Sequence, residues 1–164
     1  MLQIGILSDT HGFVHTRVIE FFENVDEIWH SGDFGDVKVA NQLKVLKPLK
    51  AVYGNIDGND LRIEYPEVQL FQIEKVKVLM THIGGYPGRY DHKVRLLIEQ
   101  EKPKLFVCGH SHILKVIYDK KYDLLHINPG AAGKYGIHKS ITAVRLIIDH
   151  GNMRNLEILD IPRK

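Results

Sequence analysis

The chain has 164 residues, enough for one domain with a full hydrophobic core and too few for two ordinary domains, so we predict a single domain over residues 1–164. Lys and Arg total 22 against 20 for Asp and Glu, and without a run of like charge this balance gives no sign of a dedicated nucleic-acid surface. The lone Cys108 excludes an intramolecular disulfide, no apolar stretch approaches the roughly 20 residues of a membrane helix, and the N-terminus lacks an export signal, so we expect a cytoplasmic protein without a membrane partner.

The first third of the chain alternates strand-like and helix-like patterns. Short apolar runs predict strands at residues 4–7, 27–30 and 49–53, and apolar residues at helical spacing predict helices at 18–25 and 37–46. Strands joined through helices pair in parallel, because the crossover helix packs back onto the sheet. This βαβαβ pattern therefore predicts a parallel sheet with helices on its faces.

The second half of the chain is dominated by strand-like segments. Residues 68–73 and 76–81 predict a hairpin, and residues 94–101 predict a helix. Together with the first third, this half predicts an α/β fold in which two β-sheets pack on each other with helices outside. The further predicted strands are at residues 105–108, 115–118, 124–127, 142–148 and 156–161.

Polar residues follow five of the predicted strands at the point where each strand ends. In open α/β sheets the loops at the carboxyl ends of the strands converge on a crevice, and ligands bind there. The sequences of these five exits are SDTHG, HSGD, YGNID, MTHIGG and CGHSH. They supply Asp9, His11, Asp33, Asn55, Asp57, His82, His110 and His112.

Each of these residues, taken alone, has an ordinary structural explanation. Asp9 can cap a helix or shape a turn, Asp33 and Asn55 are common turn residues beside glycine, and a single His82 is usually a satisfied polar residue. The spacings Asp-Thr-His and His-Ser-His are different, because alternate residues of an extended segment point the same way and can face one ion. Imidazole, carboxylate and amide groups without thiolate suit Mn, Fe, Co, Ni or Zn, so the set predicts a transition-metal site.

The ordered set SDTHG, GD, GN, TH and GHSH, followed by NPGA, spans residues 8–131 and resembles the calcineurin-like metallophosphoesterases, above all their small single-domain phosphodiesterases of bacteria and archaea. The resemblance implies a four-layer αββα sandwich of two mixed β-sheets flanked by helices. It also implies a phosphodiesterase with two divalent metal ions, for which we expect manganese, with nickel, iron, cobalt and zinc as alternatives. By motif, one metal would be held by Asp9, His11, Asp33 and His112, and the second by Asp33, Asn55, His82 and His110, so that Asp33 bridges the two.

The same resemblance implies a hydrolytic mechanism. A hydroxide bridging the two ions would attack phosphorus in line, without a covalent enzyme intermediate, because two nearby divalent ions lower the pKa of bound water and clamp the phosphate. Many larger family members carry a His directly after the ligand Asn, where it aids departure of the leaving group, and Ile56 occupies that place here. Asp57 is a weak candidate for the missing acid, with loop stabilisation favoured instead. We therefore expect the best activity on esters whose leaving group can depart as an anion.

The substrate and partners are less constrained by the sequence. Asn55 and Arg89 are candidate substrate-binding residues, although Arg89 lies in the stretch GGYPGRYDHK, where a solvent-facing turn is an equal alternative. His30, directly before SGD, is a candidate either to orient the metal ligands or to pack at a strand end. We expect a small phosphate ester as substrate, in a pocket shaped by loops at 56–65 and 84–92. A homo-oligomer is left open, and a catalytically weak protein-binding scaffold is the alternative function, because a trafficking subunit shares this fold.

Overall fold

Two five-stranded β-sheets lie at the centre of the structure, a computed structural model that describes residues 1–163. A two-stranded hairpin forms a third, much smaller sheet. In chain order the elements are β1 (Leu2–Leu7), α1 (Thr16–Phe21), β2 (Glu27–His30), α2 (Val37–Leu46), β3 (Leu49–Ala51), α3 (Asn59–Glu64), β4 (Val68–Ile73), β5 (Val76–Thr81), β6 (Gly85–Tyr86), β7 (Arg89–Tyr90), α4 (His92–Glu101), β8 (Leu105–Val107), β9 (Leu114–Asp119), β10 (Leu124–Pro129), β11 (Ser140–Asp149) and β12 (Asn152–Pro162).

The first sheet has the strand order β12-β11-β1-β2-β3. Strands β1, β2 and β3 are parallel, with Ile6 opposite Trp29 and Trp29 opposite Lys50, so the predicted parallel βαβαβ unit is confirmed. On the other side of β1, strands β11 and β12 continue the sheet in antiparallel pairing. The first sheet is therefore mixed, and β3 and β12 are its edges.

The second sheet has the strand order β4-β5-β8-β10-β9. Strands β5, β8 and β10 are parallel, whereas the edge strands β4 and β9 pair antiparallel to their neighbours. The hairpin predicted at residues 68–73 and 76–81 is formed by β4 and β5. Both sheets are thus mixed, as the resemblance implied.

The inner faces of the two sheets form the central core. Ile4 and Ile6 of β1 belong to the same buried cluster as Met80 of β5, and all three side chains are inaccessible to solvent. Helices α1 and α2 cover the outer face of the first sheet, where Leu43 is buried. Helix α4 covers the outer face of the second sheet through Ile98. The order helix, sheet, sheet, helix confirms the four-layer αββα prediction.

Four elements differ from the prediction. The predicted loop at 56–65 contains α3, whose only buried side chain is that of Leu61 and which therefore gives no helical periodicity in the sequence. The loop at 84–92 contains β6 and β7, which are too short to show alternation. Strand β12 begins four residues before the predicted start at 156, and its mostly exposed pattern explains the omission. None of the helices in residues 1–163 has both the length and the apolar character needed to cross a membrane.

His126 of β10 is buried, and neither of its ring nitrogens has a hydrogen-bond partner. Its ring centroid lies 5.6 Å from that of Phe106 and 6.0 Å from that of Tyr90. Burial disfavours the imidazolium and, with a smaller contribution from the nearby Lys115 ammonium, lowers the pKa of His126 to about 4. The folded protein therefore holds this imidazole neutral at physiological pH.

We expect His126 to reduce stability in acid. Its folded pKa of about 4 lies below the unfolded value of about 6.5, so between these values the unfolded chain binds more protons. The contribution to stability is therefore present above pH 6.5 and is lost as the pH falls toward 4. His126→Phe should remove about 2–3 kcal/mol of this pH dependence, measured by urea unfolding at pH 7 and at pH 4.5. Equal losses of stability in the variant and the wild type on acidification would contradict the prediction.

Candidate metal centre

Five loops, each leaving the carboxyl end of a strand, bring polar side chains together at one edge of the molecule. The loops follow β1, β2 and β3 of the first sheet and β5 and β8 of the second, so both sheets contribute. The side chains form two ligand groups, and within each group the nitrogen and oxygen atoms that can bind a metal lie within 4.8 Å of one another. The first ligand group is Asp9, His11 and His112, and the second is Asp33, His82 and His110.

The two ligand groups adjoin each other through their carboxylates. Asp33 Oδ2 lies 3.2 Å from Nε2 of His82 in its own group and 3.6 Å from Nε2 of His11 in the first group. Asp9 Oδ1 lies 3.8 Å from Nε2 of His11 and also 3.8 Å from Nε2 of His82. A carboxylate at this junction can reach an ion in either group.

Asn55 completes the set of seven predicted residues. Its side chain is exposed, and its Oδ1 lies 3.1 Å from Nδ1 of His110, which places it beside the second ligand group. The structure therefore brings together every residue that the sequence nominated as a ligand. Their role in holding metal stays a prediction.

Three buried atoms of the two groups have no hydrogen-bond partner: Asp9 Oδ1, His11 Nε2 and His82 Nε2. An unpaired buried polar atom costs about 1–3 kcal/mol, so three of them facing one another need a common partner. Carboxylate oxygen and imidazole nitrogen are the donors that divalent transition metals prefer. The residues present therefore fit the metal ions that the sequence predicts.

In the metal-free protein the carboxylates and imidazoles stabilise each other's charged forms. Burial alone would raise the pKa of Asp9, but the nearby imidazoles of His11 and His112 hold it well below its usual range. The Asp9 carboxylate in turn raises the pKa of His11. Burial acts to lower the pKa of His82, yet the nearby carboxylates of Asp33 and Asp9 raise it overall. The site holds buried negative charge, which attracts cations.

Five of the seven candidate ligands have a left-handed backbone conformation. The angle φ is 53° at Asp9, 46° at His11, 60° at Asp33, 71° at His110 and 63° at His112. Positive φ is uncommon outside glycine, and it carries strain that surrounding contacts must hold in place. Such strain is typical of functional sites, where a precise side-chain position outweighs backbone preference.

The left-handed conformations also correct one step of the sequence argument. The spacings Asp-Thr-His and His-Ser-His predict extended segments whose alternate side chains face one ion. All four of these residues instead have positive φ, so neither segment is extended. Asp9 and His11 nevertheless belong to one ligand group, whereas His110 and His112 fall into different groups. The residue types were informative, but the geometry assumed for them was wrong.

Gly109 allows the loop after β8 to approach the loop after β1. A Cβ at this position would lie 2.1 Å from Ser8 Oγ and 2.7 Å from Asp9 Oδ2. In this close arrangement Ser8 Oγ donates a hydrogen bond of 2.7 Å to Asp9 Oδ2, and the backbone N–H of His110 donates one of 3.0 Å to the same oxygen. Asp9 Oδ2 thus already accepts two hydrogen bonds, and Oδ1 is the oxygen that faces the imidazoles.

Two histidines are oriented by backbone contacts. Nδ1 of His82 lies 2.8 Å from the carbonyl oxygen of Ser31, so this nitrogen carries the proton and Nε2 is left for an ion. His30 is fully buried, accepts the backbone N–H of Gly32 at Nδ1, and places Nε2 3.0 Å from Thr10 Oγ1. Burial lowers the pKa of His30 to about 3, so it connects the loops after β1 and β2 as a neutral group.

Asp57 organises the backbone under the second ligand group. Its buried carboxylate accepts the N–H groups of Asp33 at 3.0 Å, Phe34 at 3.2 Å, Gly35 at 3.0 Å and Gly54 at 2.8 Å. Both carboxylate oxygens are occupied as acceptors. This arrangement is that of a loop-stabilising carboxylate, and nothing in it favours Asp57 as the acid for a leaving group.

Arg89 lies apart from the ligand groups. It is on β7 and lines a cavity together with Tyr122, to which none of the seven candidate ligands contributes. Two other cations, Arg62 and Lys93, line a cavity of about 590 Å³ that Asn55 also lines. Sequence reasoning missed both, because α3, which carries Arg62, was not predicted and no motif marks either residue.

Comparison with known proteins identifies the family. Residues 2–151, which include both ligand groups, match the calcineurin-like phosphoesterase superfamily domain. This chain belongs to that superfamily. Two archaeal relatives, both named probable metallophosphoesterases, are similar over most of their length. The protein of Methanothermobacter thermautotrophicus is 30% identical over 133 residues, or 78% of this chain and 76% of that protein. The protein of Methanocaldococcus jannaschii is 33% identical over 134 residues, or 78% and 67%.

Solved structures of other proteins share the fold. A single mutant of Vps29 from Entamoeba histolytica has a TM-score of 0.76 and 15% identity, and the match covers 98% of this chain and 99% of that chain. Vps29 of Chaetomium thermophilum, solved in complex with a cyclic peptide, has a TM-score of 0.67 and 12% identity, over 99% of this chain and 98% of that chain. At these identities the likeness shows the common architecture alone.

Proposed function

We propose that this calcineurin-like phosphoesterase is a metal-dependent phosphodiesterase that holds two divalent ions. The observation that carries the proposal is the adjoining pair of ligand groups with three buried atoms that lack a partner. When bound, two divalent ions lower the pKa of water and neutralise the charge of a phosphate. The first ion would be held by Asp9, His11, Asp33 and His112, and the second by Asp33, Asn55, His82 and His110.

The charge of the centre favours an anionic substrate. Two divalent ions bring +4, and the carboxylates of Asp9 and Asp33 return −2, so ions and ligands together are positive. Asn55 is exposed, with Oδ1 beside His110 Nδ1, so Oδ1 would be the atom that binds the second ion and the amide N–H₂ could donate to a phosphate oxygen. Manganese is the ion we expect first, with nickel, iron, cobalt and zinc as alternatives that share its preference for nitrogen and oxygen ligands.

A protein-binding scaffold is the second candidate function. Vps29 of Chaetomium thermophilum, which shares the fold, was solved with a cyclic peptide bound. In this chain Ile56, Ile83 and Ile113 are exposed directly after three of the candidate ligands, which gives the centre an apolar rim. A scaffold does not require a full set of metal ligands, however, and the complete set of seven supports the enzyme.

Hydrolysis of bis(4-nitrophenyl) phosphate tests the enzyme against the scaffold. Protein freed of metal with a chelator should be inactive, and it should gain activity on addition of Mn²⁺. Elemental analysis of the reloaded protein should find two ions per chain. If the folded protein shows no turnover with Mn, Fe, Co, Ni or Zn, the scaffold is favoured and the enzyme proposal is overturned.

The absence of a proton donor beside Asn55 predicts a strong dependence on the leaving group. Ile56, half exposed at the position after Asn55, cannot protonate a departing oxygen. We expect kcat/KM along a series of aryl phosphodiesters to fall steeply as the pKa of the leaving phenol rises, and to be lower still for dialkyl esters. A flat dependence, measured under conditions where chemistry limits the rate, would show that an acid is present after all.

A further inference from the structure

A cleft adjoins the second ligand group. Its volume is about 590 Å³, and Asn55 and His82 themselves form part of its wall. A phosphate held at the metal centre therefore has one of its two ester groups beside this cleft. That volume is within the range of small-molecule sites and exceeds what a bare phosphate requires.

Several apolar side chains line the cleft. Val68 of β4 is 36% exposed and Ile83, directly after His82, is 43% exposed. Leu97 of α4 and Tyr53 also line the cleft. These apolar side chains are in contact with water. A ligand that covers them lowers the free energy of the complex, because apolar surface is removed from water.

Two cations and two carboxylates line the same cleft. Arg62 donates from Nε to the carbonyl oxygen of Asp57 and lies over the ring of Tyr53 at 4.5 Å, so its position is fixed. The Lys93 ammonium makes no ion pair with any group in residues 1–163. The carboxylate of Asp91 accepts the backbone N–H of Lys93, and Glu67 is the other anion. Within the described part of the chain, Lys93 thus gives the cleft an ammonium without an ion-pair partner, which can attract an anionic phosphate.

We propose that the cleft binds an apolar substituent of the substrate, so that the enzyme acts on amphiphilic phosphodiesters, which carry a hydrocarbon chain or ring on the phosphate. This inference rests on the proposed phosphodiesterase function and adds the class of substrate. The phosphate lies at the metal centre, and the hydrocarbon group covers Val68, Ile83 and Leu97. Small hydrophilic diesters leave those side chains in water and are therefore poorer substrates.

A series of 4-nitrophenyl alkyl phosphates tests the inference, because the leaving group is constant and only the alkyl chain varies. From the methyl to the hexyl ester, kcat/KM should rise at least about tenfold, since each methylene buried in an apolar site contributes up to about fourfold. The rise should appear chiefly as a lower KM. Equal kcat/KM for all esters would overturn the inference and leave the phosphodiesterase function intact, whereas no hydrolysis of any ester would overturn both.

A matched pair of variants locates the alkyl chain. Val68→Ser replaces an apolar side chain of the cleft wall with a polar one and should remove most of the preference for the hexyl over the methyl ester. Leu70→Ser is the control, because Leu70 lies two residues along the same edge strand, is 41% exposed, and does not line the cleft. If Val68→Ser keeps the full chain-length preference, or Leu70→Ser loses it equally, the chain binds elsewhere and the inference is wrong.

Discussion

Asp33→Asn should lower kcat/KM for phosphodiester hydrolysis at least about 100-fold, because residues that merely support a metal ligand already contribute about 10–100-fold. Asp33 Oδ2 lies 3.2 Å from His82 Nε2 and 3.6 Å from His11 Nε2, at the junction of the two ligand groups. The amide keeps the shape of the side chain but removes the negative charge that both ions would share. Steady-state kinetics with Mn²⁺ and elemental analysis should show lost activity and fewer than two ions per chain.

His110→Ala should also lower activity and metal content, because it removes a nitrogen of the second ligand group.

Asp160→Asn is the matched control for Asp33→Asn. Asp160 is exposed on β12, and within residues 1–163 its side chain forms no hydrogen bond or ion pair. The control should keep wild-type activity and metal content. Full metal content and activity in a folded Asp33→Asn protein would contradict the shared-carboxylate arrangement.

Asp57→Ala should cost about 3–5 kcal/mol of the free energy of unfolding. The Asp57 carboxylate accepts four backbone N–H groups, including those of Asp33 and Gly54, and hydrogen bonds to a charged acceptor contribute about 1.5–3 kcal/mol each before water partly replaces them. Urea unfolding measures the loss. Because all four donors belong to the loops after β2 and β3, metal affinity should fall as well.

Asp57→Asn gives a milder test if the alanine variant fails to fold. The amide keeps one acceptor oxygen and should lose about half as much stability as the alanine variant. Asp160→Ala, on the exposed side of β12, should stay within about 0.5 kcal/mol of the wild type. A stability change below about 1 kcal/mol for Asp57→Ala would show that the four N–H groups find other partners.

Much of the fold follows from local patterns in the sequence. The apolar runs of β1, β2 and β3 alternate with helical stripes, and such a pattern has few compact solutions other than a parallel sheet covered by helices. Polar residues placed after these strands then fall at one edge by topology. For this reason the convergence of Asp9, Asp33 and Asn55 could be predicted without any knowledge of side-chain geometry.

The remaining features depend on tertiary contacts that no local pattern records. Helix α3 has a single buried side chain, Leu61, so it forms because of its surroundings rather than its periodicity. The left-handed backbone at His110 and His112 depends on contacts with neighbouring loops. The local sequence therefore does not predict this conformation. Arg62 acquires its place beside Asn55 only once α3 is formed, since it donates to the Asn55 carbonyl oxygen at 3.2 Å.

Each ligand group draws on both sheets, since Asp9 leaves β1 and His112 leaves β8, while Asp33 leaves β2 and His82 leaves β5. An ion bound by either group would therefore cross-link the two halves of the sandwich, and no short fragment of the chain could chelate it. Binding only to the native state adds about 2.7 kcal/mol of stability when the free ion is at 100 times its Kd. The concentration of free metal ion would then determine the thermal stability of the protein, independently of any effect on turnover.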